Sequence, residues 1–320
     1  MTSEPIIVIT GATGVQGGSV IRALQATGKF KLRAVSRNPE SDASKALIEK
    51  GVEVVQGNAN DGESMKKAFT GAWGAFLVTN FWDPAAKGAN DTDLVQGKLL
   101  VDAAKEAGIQ YIVWSSLEDI QGKSNGKLLV PHFSYKNKVE QYIRSIGFDA
   151  AFVYAGYYAS NWIGFPQLAG PLRNQDGSIV IHSPFRDDVK IPIIDMDADF
   201  GKFVAPAFLD PVKFHHKKIM AASEYITVPQ MVEAYTSVTG EEITVNYVPF
   251  EKIMEIPNAN MLPPTMFHDV VCMFNDLGYF VGAPLEPTQA LYDHDLKLNS
   301  FKDWIRTSGF KVPPPSAPTQ

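Results

Sequence analysis

One cysteine in 320 residues, Cys272, excludes a disulfide framework within the chain. It lies in the apolar run Val270-Val271-Cys272-Met273-Phe274, where a buried, inert thiol is the default expectation. Histidines number six, and His215 and His216 are adjacent. Neighbours on a regular element point apart and no other cluster has ligand spacing, so no metal site is expected. Basic residues are outnumbered, 29 Lys and Arg against 35 Asp and Glu, for a net charge of −6. That balance argues against a nucleic-acid-binding surface. Apolar runs long enough to cross a bilayer are missing. So is an N-terminal stretch resembling a signal peptide, because the first strand pattern starts within a few residues of Met1. A reducing compartment follows as the expectation, the cytoplasm with the nucleus as alternative, and the sequon Asn90-Asp91-Thr92 then has no consequence. Internal repeats are absent too.

What is present is core-forming material. Hydrophobic residues make up 45% and charged residues 20%, an ordinary globular balance, and the length suffices for two lobes. The most informative stretch is Ile6-Ile7-Val8-Ile9-Thr10-Gly11-Ala12-Thr13-Gly14-Val15-Gln16-Gly17-Gly18-Ser19. Its apolar start reads as a strand buried on both faces. The later spacing of Val20, Ile21 and Leu24 is helical. Glycines in a strand–turn–helix have assignable roles. Gly11 permits the tight turn, Gly14 lets a pyrophosphate approach the backbone, and Gly17 lets helix and strand pack closely. The spacing G-x-x-G-x-x-G differs from the G-x-G-x-x-G fingerprint, and alone it would describe only a flexible turn. With strand and helix present, a dinucleotide site on the helix N-terminus is the better reading, with Thr13, Val15 and Gln16 beside the glycines.

The first half alternates strand and helix. Strands are expected over 31–36, 52–56, 75–79, 111–115 and 148–154, and helices over 41–50, 62–69, 91–107 and 132–146, many closed by glycine. This order predicts an α/β, Rossmann-type, doubly wound parallel sheet with right-handed crossovers. After Tyr154 the texture changes and clean alternation is lost across 156–192. Strands return near 192–194, 218–222 and 243–248, with helices near 198–208 and 228–238. Beyond Phe250, prolines at 257, 263, 264, 284 and 287 interrupt the helices, and the proline-rich tail 312–320 reads as an extended end. The expected division is a nucleotide-binding domain at 1–156 and a smaller C-terminal α+β lobe at 157–320, with about 190–222 returning to the first sheet.

Ligands of such sheets bind beyond the carboxyl ends of the strands. An NAD site would place an acidic residue at the end of the second strand. Here the chain reads Ala34-Val35-Ser36-Arg37-Asn38-Pro39, and Arg37 lies twenty residues after Gly17. A guanidinium there suits a 2′-phosphate, with Ser36 adding a hydroxyl, so NADP(H) is preferred over NAD(H). The alternative is a solvated surface arginine. Asn58 and Asp61 follow the third strand as adenine-side candidates, Asp61 being equally suited to capping the next helix. Thr79, Asn80 and Phe81 follow the fourth strand along the ribose and phosphate path, and Phe81 with Trp82 reads equally well as lid packing.

Ser115 and Ser116 end the fifth strand where a nicotinamide would lie. In the following helix Lys136 precedes Val139 by three and Ile143 by seven, which puts it on the buried stripe, while Lys138 faces solvent. A buried lysine near the open end of the sheet fits a ribose ligand or a proton donor; the alternative is an inner-face ion pair. His132 lies one turn earlier as a proton relay or a structural histidine. Aromatics at Tyr157, Tyr158, Trp162 and Phe165 would either wall a substrate pocket or form the core of the second lobe.

These residues carry a resemblance. The stretches Gly11-Ala12-Thr13-Gly14-Val15-Gln16-Gly17-Gly18, Ser36-Arg37-Asn38-Pro39, Val78-Thr79-Asn80 and Phe133-Ser134-Tyr135-Lys136-Asn137-Lys138-Val139-Glu140 are similar to the NmrA-like family of atypical short-chain dehydrogenase/reductases. Tyr154-Ala155-Gly156-Tyr157-Tyr158 resembles the family's regulator members, which adds Gly156 and Tyr157 to the cofactor-side candidates. The resemblance covers nearly the whole chain. It implies a Rossmann lobe, NADP(H) preference and a second lobe forming a cleft. Ordinary short-chain dehydrogenases carry Tyr-x-x-x-Lys, but four residues before Lys136 stands His132, and Tyr135 points elsewhere. Phe133-x-x-Lys136 resembles the isoflavone-reductase-like enzymes, which rely on the lysine alone. Two expectations follow. One is an NADPH-dependent oxidoreductase acting on a small carbonyl, imine or enone, with Lys136 aided by His132, Ser115 or Tyr158. The other is a non-catalytic NADP(H) sensor that regulates a protein partner such as a transcription factor. A homodimer is compatible with either.

Overall fold

The computed structural model describes residues 4–82, 91–164, 170–253, 255, 263–292 and 296–315. The first half runs β1 (Ile6–Ile9), α1 (Val15–Thr27), β2 (Lys31–Ser36), α2 (Asp42–Glu49), β3 (Glu53–Gln56), α3 (Gly62–Phe69), β4 (Gly74–Leu77), α4 (Thr92–Glu106), β5 (Tyr111–Ser116), α5 (Ile120–Lys123), α6 (Pro131–Ser145) and β6 (Ala150–Ala155). There follow β7 (Tyr157–Tyr158), α7 (Asn161–Gly164), β8 (Leu172–Arg173), β9 (Ile179–Ser183), β10 (Ile191–Ile194), α8 (Met196–Leu209) and β11 (Lys218–Ala221). The chain continues with β12 (Glu224–Ile226), α9 (Val228–Thr239), β13 (Ile243–Tyr247), α10 (Phe250–Ile253), α11 (Pro264–Cys272), a π-helical turn at Met273–Leu277, α12 (Glu286–Gln289) and α13 (Phe301–Ser308).

Seven parallel strands form the main sheet in the order β11-β6-β5-β4-β1-β2-β3. It is a Rossmann-type doubly wound sheet, as the alternation predicts. Successive side chains of a strand serve opposite faces. Ile7 and Ile9 pack with Val20, Ile21 and Leu24 of α1 and with Phe200, Phe203 and Phe208 of α8. Val8 packs on the other face with Phe69, Leu100, Val101, Val139 and Ile143 from α3, α4 and α6. That two-sided burial explains the unbroken apolar runs. α1 and α8 pack backbone to backbone: a Cβ at Gly201 would lie 2.2 Å from the Ser19 carbonyl oxygen, and Gly201 N–H donates to Ser19 Oγ at 2.9 Å. The chain passes from β1 to β2 on one side and from β3 back to β4 on the other. The carboxyl ends of β1 and β4 therefore flank the switch point where a crevice must open.

Two three-stranded sheets complete the fold, β12-β10-β7 and β13-β9-β8. Lys218–Ala221 joins the main sheet beside β6, whereas Ile191–Ile194 pairs with β7 and β12. β9 lies inside the stretch where alternation was expected to be lost. Its partners are β13 and β8, and β7 and β8 are two residues each, too short to leave a periodic signal. Helix starts are fixed by side chains: capping boxes at Thr227/Gln230 and Ser300/Asp303 fix α9 and α13.

Candidate functional site

A cavity of about 830 Å³ runs along the carboxyl edge of the main sheet, across the switch point. At its middle lie Thr10, Gly11, Thr13, Gly14, Val15 and Gln16. Gly11 adopts φ +59°, and a Cβ there would meet Val78 Cγ1 at 2.7 Å. Thr10 Oγ1 accepts from Val78 N–H at 2.8 Å, clamping the ends of β1 and β4 together. Gly14 is the N-cap of α1; it offers no side chain and the first turn holds no acid, so the helix start is open to an anion. Gly17 does not line the cavity. A Cβ there would lie 2.3 Å from the Gly11 carbonyl oxygen, so this glycine closes the helix onto the turn.

One end of the cavity is lined by Val35, Ser36, Arg37, Asn38, Gly57, Asn58, Ala59 and Met65. Ser36 Oγ donates to the Asn38 carbonyl at 2.9 Å and accepts from Ser44 Oγ at 2.9 Å, which fixes the loop that carries Arg37. Among the described residues that line the cavity, Arg37 and Lys136 carry full charges and none is a carboxylate. Asp61, expected on the adenine side, is not there. Its carboxylate caps α3, accepting from Ser64 N–H at 3.2 Å.

At the other end stand Thr79, Asn80, Phe81, Ser115, His132, Lys136, Tyr157 and Tyr158. Lys136 is buried, and its ammonium donates to Thr79 Oγ1 at 2.7 Å, to the Thr79 carbonyl at 3.2 Å and to Asp93 Oδ1 at 3.1 Å. Asp93, in the first turn of α4, is fully buried and its second oxygen has no hydrogen-bond partner. The lysine thus makes the ion pair that was the alternative expectation, and it also lines the cavity. Gln16 joins two hydroxyls: Ser115 Oγ donates to its Oε1 at 2.8 Å, and its Nε2 donates to Tyr158 Oη at 2.7 Å. Gly156 does not reach the cavity. A Cβ there would lie 2.8 Å from the Pro192 carbonyl and 2.9 Å from that of Ala221, so it serves a tight crossing of strands.

His132 Nδ1 is buried without a partner. Burial lowers the imidazole pKa from 6.5 to about 4, with Asp93 opposing that shift and Lys136 adding to it. The folded protein therefore resists protonation that the unfolded chain accepts. This contribution to stability is full above pH 6.5 and is lost as pH falls toward 4. Denaturation of His132→Gln alongside the parent should show a shallower loss of stability across that window. Equal slopes would remove His132 from the acid response.

The wall beyond His132 is aromatic. Phe81 and Trp82 pack against the imidazole at 5.4 and 6.0 Å, and Phe133, Tyr279, Phe274 and Tyr157 continue edge to face. Phe133, Phe267, Val270, Phe274 and Tyr279 were not foreseen, nor was Asp93; sequence alone does not distinguish an aromatic wall from an aromatic core. Trp162, expected as a candidate wall residue, is core: it packs on Tyr235, Phe301 and Phe310. Phe165 lies outside the described residues. Tyr135 faces away, as expected, with Lys138 over its ring. His215 and His216 do not point apart. They occupy a turn and stack at 4.0 Å, and among the described residues no cluster could hold a metal ion. Cys272 is half-buried beside His268, and burial with nearby Asp276 and Asp269 raises its thiol pKa. Among the described residues no helix is long and apolar enough to cross a membrane.

Known proteins are similar to this chain in sequence and in fold. The chain is 34% identical over 260 residues to the NmrA-like family domain-containing oxidoreductase notA of Aspergillus sp. (strain MF297-2), which covers 76% of this chain and 75% of that one. It is 33% identical over 334 aligned positions to the oxidoreductase malD of Malbranchea aurantiaca, covering 95% and 96%. Its fold superposes on the crystal structure of NmrA, a negative transcriptional regulator, in complex with NADP, at TM-score 0.75 and 26% identity over 95% of both chains. The same regulator in complex with NAD superposes at 0.75. The profile of the NmrA-like family matches residues 3–305, and the chain belongs to that family.

Proposed function

We propose that this protein binds NADP(H) in the switch-point cavity and works as an NADPH-dependent oxidoreductase on a small carbonyl, imine or enone. The observation that carries this is the continuous cavity from Arg37 to Tyr158, which holds two cationic side chains and no carboxylate among its described lining residues in a chain of net charge −6. In this reading the open start of α1 takes the pyrophosphate, and Ser36 and Arg37 take the 2′-phosphate. Val35, Asn58 and Met65 flank the adenine, and Thr79, held by Lys136, supports the ribose. Residues 1–156 form the cofactor side, and the later residues Phe267, Phe274 and Tyr279 wall the acceptor side. Bound NADPH supplies a hydride. The aromatic wall selects a flat, apolar acceptor and excludes water from it.

Oxidoreductase relatives favour catalysis, while the likeness to a transcriptional regulator supports the sensor reading. One experiment separates them. NADPH and NADH are titrated by fluorescence, and NADPH oxidation is then followed against aromatic ketones, imines and enones. Micromolar NADPH binding with turnover of at least one acceptor is expected. Tight binding without turnover across the panel would favour the sensor, and absence of binding would overturn both.

A further inference from the structure

Reduction of a carbonyl or neutral imine needs a proton as well as a hydride. The usual acid of the short-chain dehydrogenases is missing from α6. Lys136 already directs its three hydrogens at Thr79 and Asp93. His132 is neutral at pH 7 and is held so by burial. Tyr154 lies in a sealed network, where its hydroxyl donates to Glu140 Oε2 at 2.6 Å and that carboxylate also takes Ser116 and Arg144.

We propose that Tyr158 is the proton donor of this site and that Gln16, held by Ser115, positions it and stabilises its anion. The proposal rests on the oxidoreductase reading. Tyr158 lies in β7, just beyond β6, and Ser115 is the last residue but one of β5, both lining the end of the cavity remote from Arg37. The Tyr158 oxygen accepts from Gln16 Nε2, and among the described residues its own hydrogen has no acceptor. That hydrogen is available to a ligand. Gln16 Oε1 is occupied by Ser115, which fixes the amide so that its N–H side faces the phenol. Burial raises the Tyr158 pKa and the Gln16 bond opposes that shift, so the phenol is protonated at neutral pH and the tyrosinate it leaves has a donor waiting. In the ordinary enzymes a lysine performs that second task; here a neutral amide does. The titratable group that interacts electrostatically with Tyr158 is Tyr279, and it is held protonated by burial.

The step balances. A hydride adds to the carbonyl carbon, the π pair moves to oxygen, and that oxygen forms its O–H bond with the Tyr158 proton. Tyrosinate remains, hydrogen-bonded to Gln16, and takes a proton back from water at the cavity mouth. An N-alkyl iminium salt needs the hydride alone, so it reports on everything except the acid.

The test uses the full chain and Tyr158→Phe, Gln16→Leu and Ser115→Ala. Without cofactor, the ultraviolet difference between parent and Tyr158→Phe isolates the titration of this one phenol. Gln16→Leu, compared with its own Tyr158→Phe double variant, should move that midpoint upward; an unmoved midpoint overturns the role of Gln16. With NADPH, Tyr158→Phe should lower the ratio of ketone to iminium turnover by about 10²-fold or more. Equal losses on both acceptors, or none on the ketone, overturn the proposal. A parent protein that oxidises NADPH with neither acceptor overturns instead the oxidoreductase reading beneath it.

Discussion

Lys136→Met should destabilise the ligand-free protein by about 3–5 kcal/mol, measured by urea denaturation, because it strands Asp93. That carboxylate is completely buried, and it accepts a hydrogen bond from the lysine it would lose. Its other oxygen has no hydrogen-bond partner. Asp93→Asn should cost less, since the ammonium keeps both Thr79 acceptors. The double variant Lys136→Met/Asp93→Leu should regain much of the single-variant loss, because a buried ion pair exchanged for apolar side chains is often near neutral. A single-variant loss under about 1 kcal/mol would show that solvent reaches Asp93. The pair also joins α4 to α6 across the β4 end, so removing it frees Thr79. Loss of turnover in a Lys136 variant therefore does not by itself identify an acid. Variants must be compared at temperatures where both proteins are folded.

The same pair shows what a linear reading reaches. Spacing to Val139 and Ile143 placed Lys136 on the inner stripe of its helix, because helical periodicity is local. Asp93 enters from 43 residues earlier, and no local pattern joins them. The alternation of parallel strands and crossover helices was legible since each strand and helix is long enough to show its period. Of the small sheets β10 and β13 were legible, whereas β7, β8 and β12 were not, because strands of two or three residues have no period. Gln16 illustrates a further limit. The glycine motif places it beside a dinucleotide, yet its amide reaches Tyr158 across 142 positions, a contact made only by the fold. Asp61 fits two roles by sequence, and geometry assigns it to the helix cap.

Arg37→Gln should raise the NADPH dissociation constant on the order of 10–100-fold while changing that for NADH less than about threefold, as expected for loss of a charge-assisted hydrogen bond worth about 1.5–3 kcal/mol. The effect is assigned to Arg37 because it follows β2, at the end of the cavity remote from Lys136 and Tyr158. Ser36 contributes less: its hydroxyl is already held by Asn38 and Ser44, so Ser36→Ala should act mainly by loosening the loop. Arg37 is exposed, and its attraction to a 2′-phosphate must therefore be screened. The parent's preference for NADPH should shrink as salt rises from 0.1 to 1 M, where the Debye length falls from about 10 to about 3 Å. In Arg37→Gln most of that salt dependence should disappear. If the parent binds both nucleotides alike, or the variant weakens both equally, the loop after β2 supports the nucleotide without reading its phosphate. Selection between NADP and NAD would then lie elsewhere in the cavity, a distinction sharpened by the regulator that has been crystallised with each.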